Sequence, residues 1–491
     1  MHPSNPSALS RRAFLRRSGQ LALTGTALPW ALNLAAMGEA AAFDATDYKA
    51  LVCVFLYGGS DYANTVVPYD DASYNRYSTI RGGGANQTQG GIAIAKADLA
   101  ATLLNPGTPL AGGLQYALNP AMTGLAGLFN AGQAAVQLNV GPLVVPLTRA
   151  QYSSADRKTY PLPPKLFSHN DQQSVWQSSS PEGSTVGWGG NIGDLALGSN
   201  GNSLFTCISV TGNAVFLSGD TALQYQVSTS GAVAINSVKS SVYGSSAVKE
   251  AMATLVQQPR SHLIENEYNK VTSRAVNAES QITNALAAYP ASNAPFNSFP
   301  SGNSLADQLE MVARLIAARG NLGSKRQVFF VSIGGFDLHD NLMSQHPVLM
   351  GRVSEALTTF YNATVALGVA DKVTTFTASD FGRTLASNGD GSDHGWGNHH
   401  FVVGGAVKGA AFYGSPPPVS VTNTGAPEDQ WHVGQGRLLP TTSVDQFAAT
   451  MARWFGVTSA ELPGILPNIS HFGAAAGRPD YPTDLGFMKT A

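Results

Sequence analysis

Residues 49–61 read KALVCVFLYGGSD, and this stretch decides the fold. From Ala50 to Tyr57 no charge interrupts the run, and apolar side chains occupy both alternating sets of positions. A strand with one wet face would alternate apolar with polar residues. One that is apolar on both sides is buried on both, as strands of parallel sheets are. Gly58 and Gly59 stop the strand, and Ser60 and Asp61 follow where it ends.

Similar runs recur along the chain: AAVQLNV (134–140), SLFTCISV (203–210), RQVFFVSI (326–333), KVTTFTAS (372–379) and HHFVVGG (399–405). Helical patterns lie between several of them. Ser304 reads as the cap of LADQLEMVARLIAARG, whose Leu305, Leu309, Val312 and Ile316 share one face and which closes at Gly320. PVLMGRVSEALTTFYNATVALG ends at Gly368 and leads into the strand at 372. Strand, helix and strand in alternation predict an α/β fold with a central, mostly parallel sheet flanked by helices. Residues 211–247 read as a small β insertion, followed by helix from about 247 to 288 and a linker at 289–303. The stretches 80–93 and 414–430 read as exposed loops, and 443–455 as a late packing helix. No internal repeat and no coiled coil is legible.

Composition narrows the class. Of 491 residues 43% are hydrophobic and 12% charged, about half the usual charged share of soluble domains. Such a chain buries a large core and is not disordered. Ahead of it, SRRAFLRR (10–17), the apolar LALTGTALPWALNLAAMG and Ala40-x-Ala42 form a charged region, a hydrophobic region and a processing site. The pair Arg11–Arg12 followed by Phe14–Leu15 reads as a twin-arginine signal, so residues 1–42 are expected to be removed on export to the periplasm or outside. The twin-arginine translocation machinery is then a partner. The remaining 43–491 is expected to be one α/β domain with an insertion at about 211–300. Removing 1–42 takes away four arginines and Glu39, so the formal charge of −2 becomes three units more negative. With no basic cluster left, nucleic acid is an unexpected partner, and no integral membrane segment is expected after processing. Cys53 and Cys207, both in apolar strand patterns, read as buried small hydrophobes.

Ligands of open α/β sheets gather where strands end in loops. Reading those loops gives Ser60 and Asp61; then Asp337, His339 and Asp340 in GGFDLHD; then Ser379, Asp380 and Arg383 in SDFGRT; then Asp393, His394, His399 and His400 in GSDHGWGNHH. FSHNDQQSVW (167–176) adds Ser168 at a helix start, with His169 and Asp171 after it. Each has a structural alternative. Asp61, Asp337 and Asp340 suit caps, Asp380 and Arg383 an ion pair, and Asp171 a first helical turn. At least one of His399 and His400, at the head of a strand, points away from any site. Carboxylates and imidazoles at successive strand ends are nonetheless the donor set that a divalent cation takes.

The order of LVCVFLYGGSD, FSHNDQQSVWQ, GWGGNIGD, GGFDLHDN, ASDFGRTLASNG and DHGWGNHHFVVGGAVKGAAFYG resembles the exported family catalogued as domain of unknown function 1501 (DUF1501). That family is grouped with the alkaline phosphatase and sulfatase superfamily, so the resemblance implies an alkaline phosphatase-like α/β fold with a metal site at its strand ends. It implies metal ligands at Asp61, at Asp337 with His339 or Asp340, at Asp380, and at His394 or His399. It implies Ser168 as nucleophile at a helix N-terminus, Arg383 as the holder of an anionic ester and His394 as the acid for the leaving oxygen. Phe381 stands where the superfamily pattern has a histidine, which favours one divalent metal over two. The resemblance thus implies a metal-dependent hydrolase of phosphate or sulfate esters. The competing expectations are a non-catalytic periplasmic binding protein, whose partner is an unidentified ligand, and a structural or accessory factor for other exported proteins.

Overall fold

The computed structural model describes residues 45–82 and 91–489, so the signal-peptide reading of 1–42 lies outside the described residues. Strand β1 (Lys49–Leu56) is buried from Ala50 onward. Ala50, Val52, Val54 and Leu56 face one core and Leu51, Cys53 and Phe55 face another. A strand sandwiched this way leaves no position for a polar side chain. Each large apolar side chain so buried contributes about 1.5–3 kcal/mol.

The remaining strands, in chain order, are β2 (Val66–Pro68), β3 (Tyr116–Leu118), β4 (Ala134–Gly141), β5 (Cys207–Ser209), β6 (Gln224–Ser228), β7 (Gly231–Ala232), β8 (Arg326–Ile333), β9 (Val373–Ser379), β10 (Asn398–Val403), β11 (Ala411–Tyr413) and β12 (Thr442–Ser443). The central sheet runs β11-β4-β10-β9-β1-β8-β5-β6-β7, with β12 also on β4, while β2 and β3 pair separately. β1 is parallel to both β8 and β9, and β5 is parallel to β8 and to β6. β10 is antiparallel to both β9 and β4. The reason is local: no helix lies between β9 and β10, and a parallel return needs a long crossover. The fold is α/β with a mostly parallel central sheet flanked by helices. Helices Thr123–Asn130, Ser304–Ala317 and Leu342–Ala366 cover one face, and Trp188–Ala196 and Val444–Phe455 the other.

Several boundaries differ from the sequence expectation. The helix expected to be capped by Ser304 is capped by Asn303, whose side chain accepts from Ala306 N, and it ends at Ala317. The helix read from Pro347 begins at Leu342, with Pro347 inside it. Of the run 203–210 only 207–209 is strand, because 203–205 forms a tight turn of helix. In 211–247 the hairpin of β6 and β7 continues the sheet edge. Helices Ser246–Leu255 and Leu263–Ala287 follow it. Cys53 and Cys207 are both free and buried.

Register is what builds a site. Leu56 sits opposite Ile333 on one side and Ser379 on the other. Three central strands therefore end level, and the loops 57–61, 334–341 and 380–397 leave the sheet side by side. Gly58 (φ 115°) and Gly59 (φ 77°) make this crowding possible. A Cβ on Gly58 would meet the Asp337 backbone N, and one on Gly59 would meet the Phe381 ring.

Candidate metal centre

The centre is built from the buried carboxylate outward. Asp380, directly after β9, is fully buried. Its Oδ2 accepts from Gly58 N (3.2 Å) and Gln173 Nε2 (2.9 Å), and lies 2.6 Å from His169 Nδ1. Its Oδ1 is buried without a hydrogen-bond partner. His169 opens the helix His169–Ser178, delivered by a turn in which Lys165 and Phe167 take positive φ values of 43° and 73°. Strained backbone of this kind persists where surrounding contacts over-determine it. Here His394 Nδ1 lies 2.8 Å from the Phe167 carbonyl.

A carbonyl or carboxylate only accepts, so the closer acceptor places the ring proton: on Nδ1 in His169 and His394, whereas His339 meets Asp393 at Nδ1 and Asp337 at Nε2 at nearly equal distances. His169 is tied to Asp380, His394 to Phe167 O, and His339 to Asp393 Oδ1 at 3.2 Å. All three rings consequently turn Nε2 inward. His394 Nε2 lies 3.1 Å from His169 Nε2 and 3.0 Å from His339 Nε2. Asp337 completes the ring: Oδ1 is 3.2 Å from His394 Nε2 and 3.1 Å from His339 Nε2, and Oδ2 is 3.4 Å from His169 Nε2. Phe381 packs under His169 and His394, its centroid 4.8 and 4.7 Å from theirs.

The charges fit this arrangement. The hydrogen bond to Asp380 raises the His169 pKa, against the opposing effect of burial. Burial lowers that of His394, helped by the Arg383 and His169 charges. For Asp337 burial pulls upward, yet the Arg383 hydrogen bond and charge hold its carboxyl below the usual range. Asp393 behaves alike through Asn388 and His339. His169, Asp337 and His394 could hold a metal ion, each offering one ligand atom within 4.8 Å of the others, and His339 extends the group. Inward Nε2 atoms with Nδ1 bonded to a carboxylate or carbonyl are how metal-binding histidines are oriented, so the donor set fits a borderline cation such as zinc.

The sequence candidates fall into two groups. Asp337, His339 and His394 meet in the cluster, and Asp380 stands behind it, on His169. Arg383 is fully buried. Its Nη1 donates to Asp337 Oδ1 (2.7 Å) and Gly58 O, and its Nη2 to Ser392 O, so it neutralises Asp337 and is not free to hold an ester. Asp61, Ser168 and His399 are not brought into the cluster. Asp61 is buried as a helix cap, with Oδ1 accepting from Asn64 N and Oδ2 from Arg81 Nη2 (2.7 Å) and Ser392 Oγ (2.7 Å). Ser168 Oγ donates to Asp171 Oδ2. His399 is buried in β10, where Nδ1 accepts from Asn139 N and the ring edge meets Tyr62. His169, named in the sequence only as the residue after Ser168 and given no ligand role there, stands at the heart of the cluster. Its signal was present, a histidine in the first turn of a helix next to Ser168.

A family assignment follows from the comparison with known sequences, in which residues 48–465 match the pattern described as "Protein of unknown function (DUF1501)". The chain belongs to the DUF1501 family. Every member of the cluster lies inside the matched region of this DUF1501 chain. No curated protein matches it. Among solved structures it is similar to Ps i-CgsB, described in complex with k-i-k-neocarrahexaose, at 8% identity, TM-score 0.35, and 89% and 78% coverage of the two chains. A Bacteroides thetaiotaomicron protein, BT33494S-sulf, from a locus for metabolism of multiple glycosaminoglycans, is similar at 10% identity, TM-score 0.31, and 85% and 74% coverage.

Proposed function

We propose that this DUF1501 protein is an exported, metal-dependent hydrolase of phosphate or sulfate esters, with one divalent cation held by His169, Asp337 and His394. The observation that carries the reading is the inward convergence of the Nε2 atoms of His169, His394 and His339 around Asp337. With their protons on Nδ1, His169 and His394 point Nε2 lone pairs at each other and at the Asp337 carboxylate, an arrangement that calls for positive charge between them. A cation there would supply Lewis acidity, polarising an ester oxygen and lowering the pKa of a water.

The protein's own groups have separable roles. Asp380 and Phe167 O hold the ring protons of His169 and His394 on Nδ1, and Asp393 holds the His339 ring in place. Phe381 covers the underside and keeps water from it. Asp337, His339 and the open side of the cluster face solvent, which leaves room for substrate and for an attacking water. Because the Ser168 hydroxyl is given to Asp171, the nucleophile in this reading comes from solvent. Arg437 replaces Arg383 as the holder of the anion. Its Nε donates to His394 O at 2.7 Å and its guanidinium lies 5.5 Å over Phe167, while its two terminal nitrogens make no hydrogen bond among the described residues. A half-buried guanidinium with free donors suits the oxygens of a phosphate or sulfate group.

Metal analysis of protein purified from metal-replete cells, wild type beside His394→Ala, tests the centre. Stoichiometric metal lost in the variant is the expected result, and metal-free wild type would sink it. A panel of aryl phosphates and sulfates, with Arg437→Ala alongside, tests the reaction. The engagement of Ser168 and Arg383 favours a second reading, a non-catalytic binding protein on the same fold. Metal without turnover of any ester would select it. The proposal of export rests on residues 10–42 of the sequence. Retention of an Arg11→Lys/Arg12→Lys variant in the cytoplasm is its test.

A further inference from the structure

Of the twelve large hydrophobic side chains that stand exposed among the described residues, ten lie between Leu223 and Val271. Four of the ten, Leu263, Ile264, Tyr268 and Val271, lie on the helix Leu263–Ala287, where one apolar stripe runs the whole length. Its members alternate by four and three residues, the spacing of a coiled-coil seam. Ala278, Ile282 and Ala285 form the inner half and are buried in the core. Ile264, Tyr268 and Val271 form the outer half and are 74, 66 and 53% exposed, and Ala275 between the halves is exposed as well. The same seam that docks the helix to its own domain therefore projects about three turns beyond it. The outer half is too short for sequence periodicity to announce as a coiled coil.

We infer that this outer half pairs with the same segment of a second copy, in an antiparallel two-fold arrangement. Charge complementarity names the occupant. When Tyr268 is set opposite Val271 of the second copy, Ile264 falls opposite Ala275, a large side chain against a small one. The same register places Glu267 opposite Arg274 at the flanking positions, and the two-fold axis repeats each pair. Glu265 then faces Thr272, so no like charges meet. In a parallel pairing in register the flank of Glu267 would meet Thr272 of the second copy, and no Glu267–Arg274 pair would form. Within one chain Glu267 lies 3.5 Å from Lys270 and a loose 3.9 Å from Arg274, exposed contacts that hold neither side chain firmly. Leu263 and, on the helix Ser246–Leu255 that precedes it, Val248 and Leu255 are exposed too. An interface in which residue i meets j and j meets i is the form that closes as a dimer.

Sedimentation velocity over a concentration series of the purified protein tests this. The wild type is expected to dimerise. Tyr268→Glu should raise the dissociation constant roughly thirtyfold or more, as loss of a central aromatic anchor does. Glu267→Arg and Arg274→Glu should each weaken the dimer, and the double reversal should restore it. All these positions are exposed, so circular dichroism should show unchanged folding. A wild type that stays monomeric at every concentration overturns the inference, whether the face is bare or takes another protein. So does a dimer indifferent to Tyr268→Glu, or a double reversal that fails to rescue.

Discussion

His169 Nδ1 and Asp380 Oδ2 stand 2.6 Å apart, and this contact decides which nitrogen of His169 faces the cluster. Asp380 is itself held by Gly58 N and Gln173 Nε2, so the ring is aimed by a buried carboxylate that cannot swing. Asp380→Asn leaves the fold in place but removes the charge that orients and polarises the ring. Loss of such a supporting carboxylate costs about ten- to a hundredfold in metal affinity. Competition with a chromophoric chelator measures it. Unchanged affinity would mean that His169 is not a ligand.

Gly58 is the second lever on the same centre. Its φ of 115° is open to glycine and strained for other residues, and a Cβ there would run into the backbone N of Asp337. Backbone cannot rotate aside as a side chain can. Gly58→Ala is expected to destabilise the protein by about 1–3 kcal/mol through overpacking, plus the strain of its backbone angle. It should also weaken metal binding, because Asp337 must shift. Thermal unfolding with and without added metal separates the two effects.

These two residues also show what the sequence makes legible. β1, β8 and β9 declare themselves because burial on both faces selects runs of apolar and β-branched residues with no charge past Lys49 and Arg326, and level strand ends then gather Asp337, His339, Asp380 and His394. His169 is harder to see because it reaches the centre from a helix and not from the end of a central strand. Asp61 occupies a strand end like the others, yet Arg81, twenty residues on, engages it, a pairing that no local pattern reveals. Ser304 and Asn303 are adjacent good caps, and the choice between them depends on Arg352 O and Glu355, which hold the Asn303 amide from another helix.

Asp61 therefore carries a prediction about stability. It is buried with Arg81 at 2.7 Å, and the Arg81 charge holds its carboxyl below the usual range against the pull of burial. Asp61→Ala strands a buried guanidinium, a loss of about 3–5 kcal/mol. Chemical denaturation measures it. A variant as stable as wild type, yet unable to bind metal, would return Asp61 to the list of ligands.

The last prediction concerns acid. His346, His399 and His400 are buried, and burial lowers their pKa values to about 4, 3 and 3 from an ordinary 6.5. The unfolded chain takes up protons below pH 6.5 that the folded one refuses. The stability these groups allow is thus full above 6.5 and falls as pH drops toward 4 and 3, by about 1.4 kcal/mol per pH unit for each. Asp445 works the other way, since burial raises its pKa to about 6 from 3.8, so its contribution is full below 3.8 and lost as pH rises through 6. Three groups outweigh one, and net stability should fall steadily below pH 6.5. His400 rests against Trp176 and Phe447 with its Nε2 unbonded, a setting that a phenyl ring suits. His400→Phe should flatten the decline by about one histidine's share, and Asp445→Asn should raise stability at pH 7 by on the order of 2 kcal/mol. Urea midpoints from pH 4.5 to 7.5 measure both. An acid limb equally steep in His400→Phe would place its cause elsewhere.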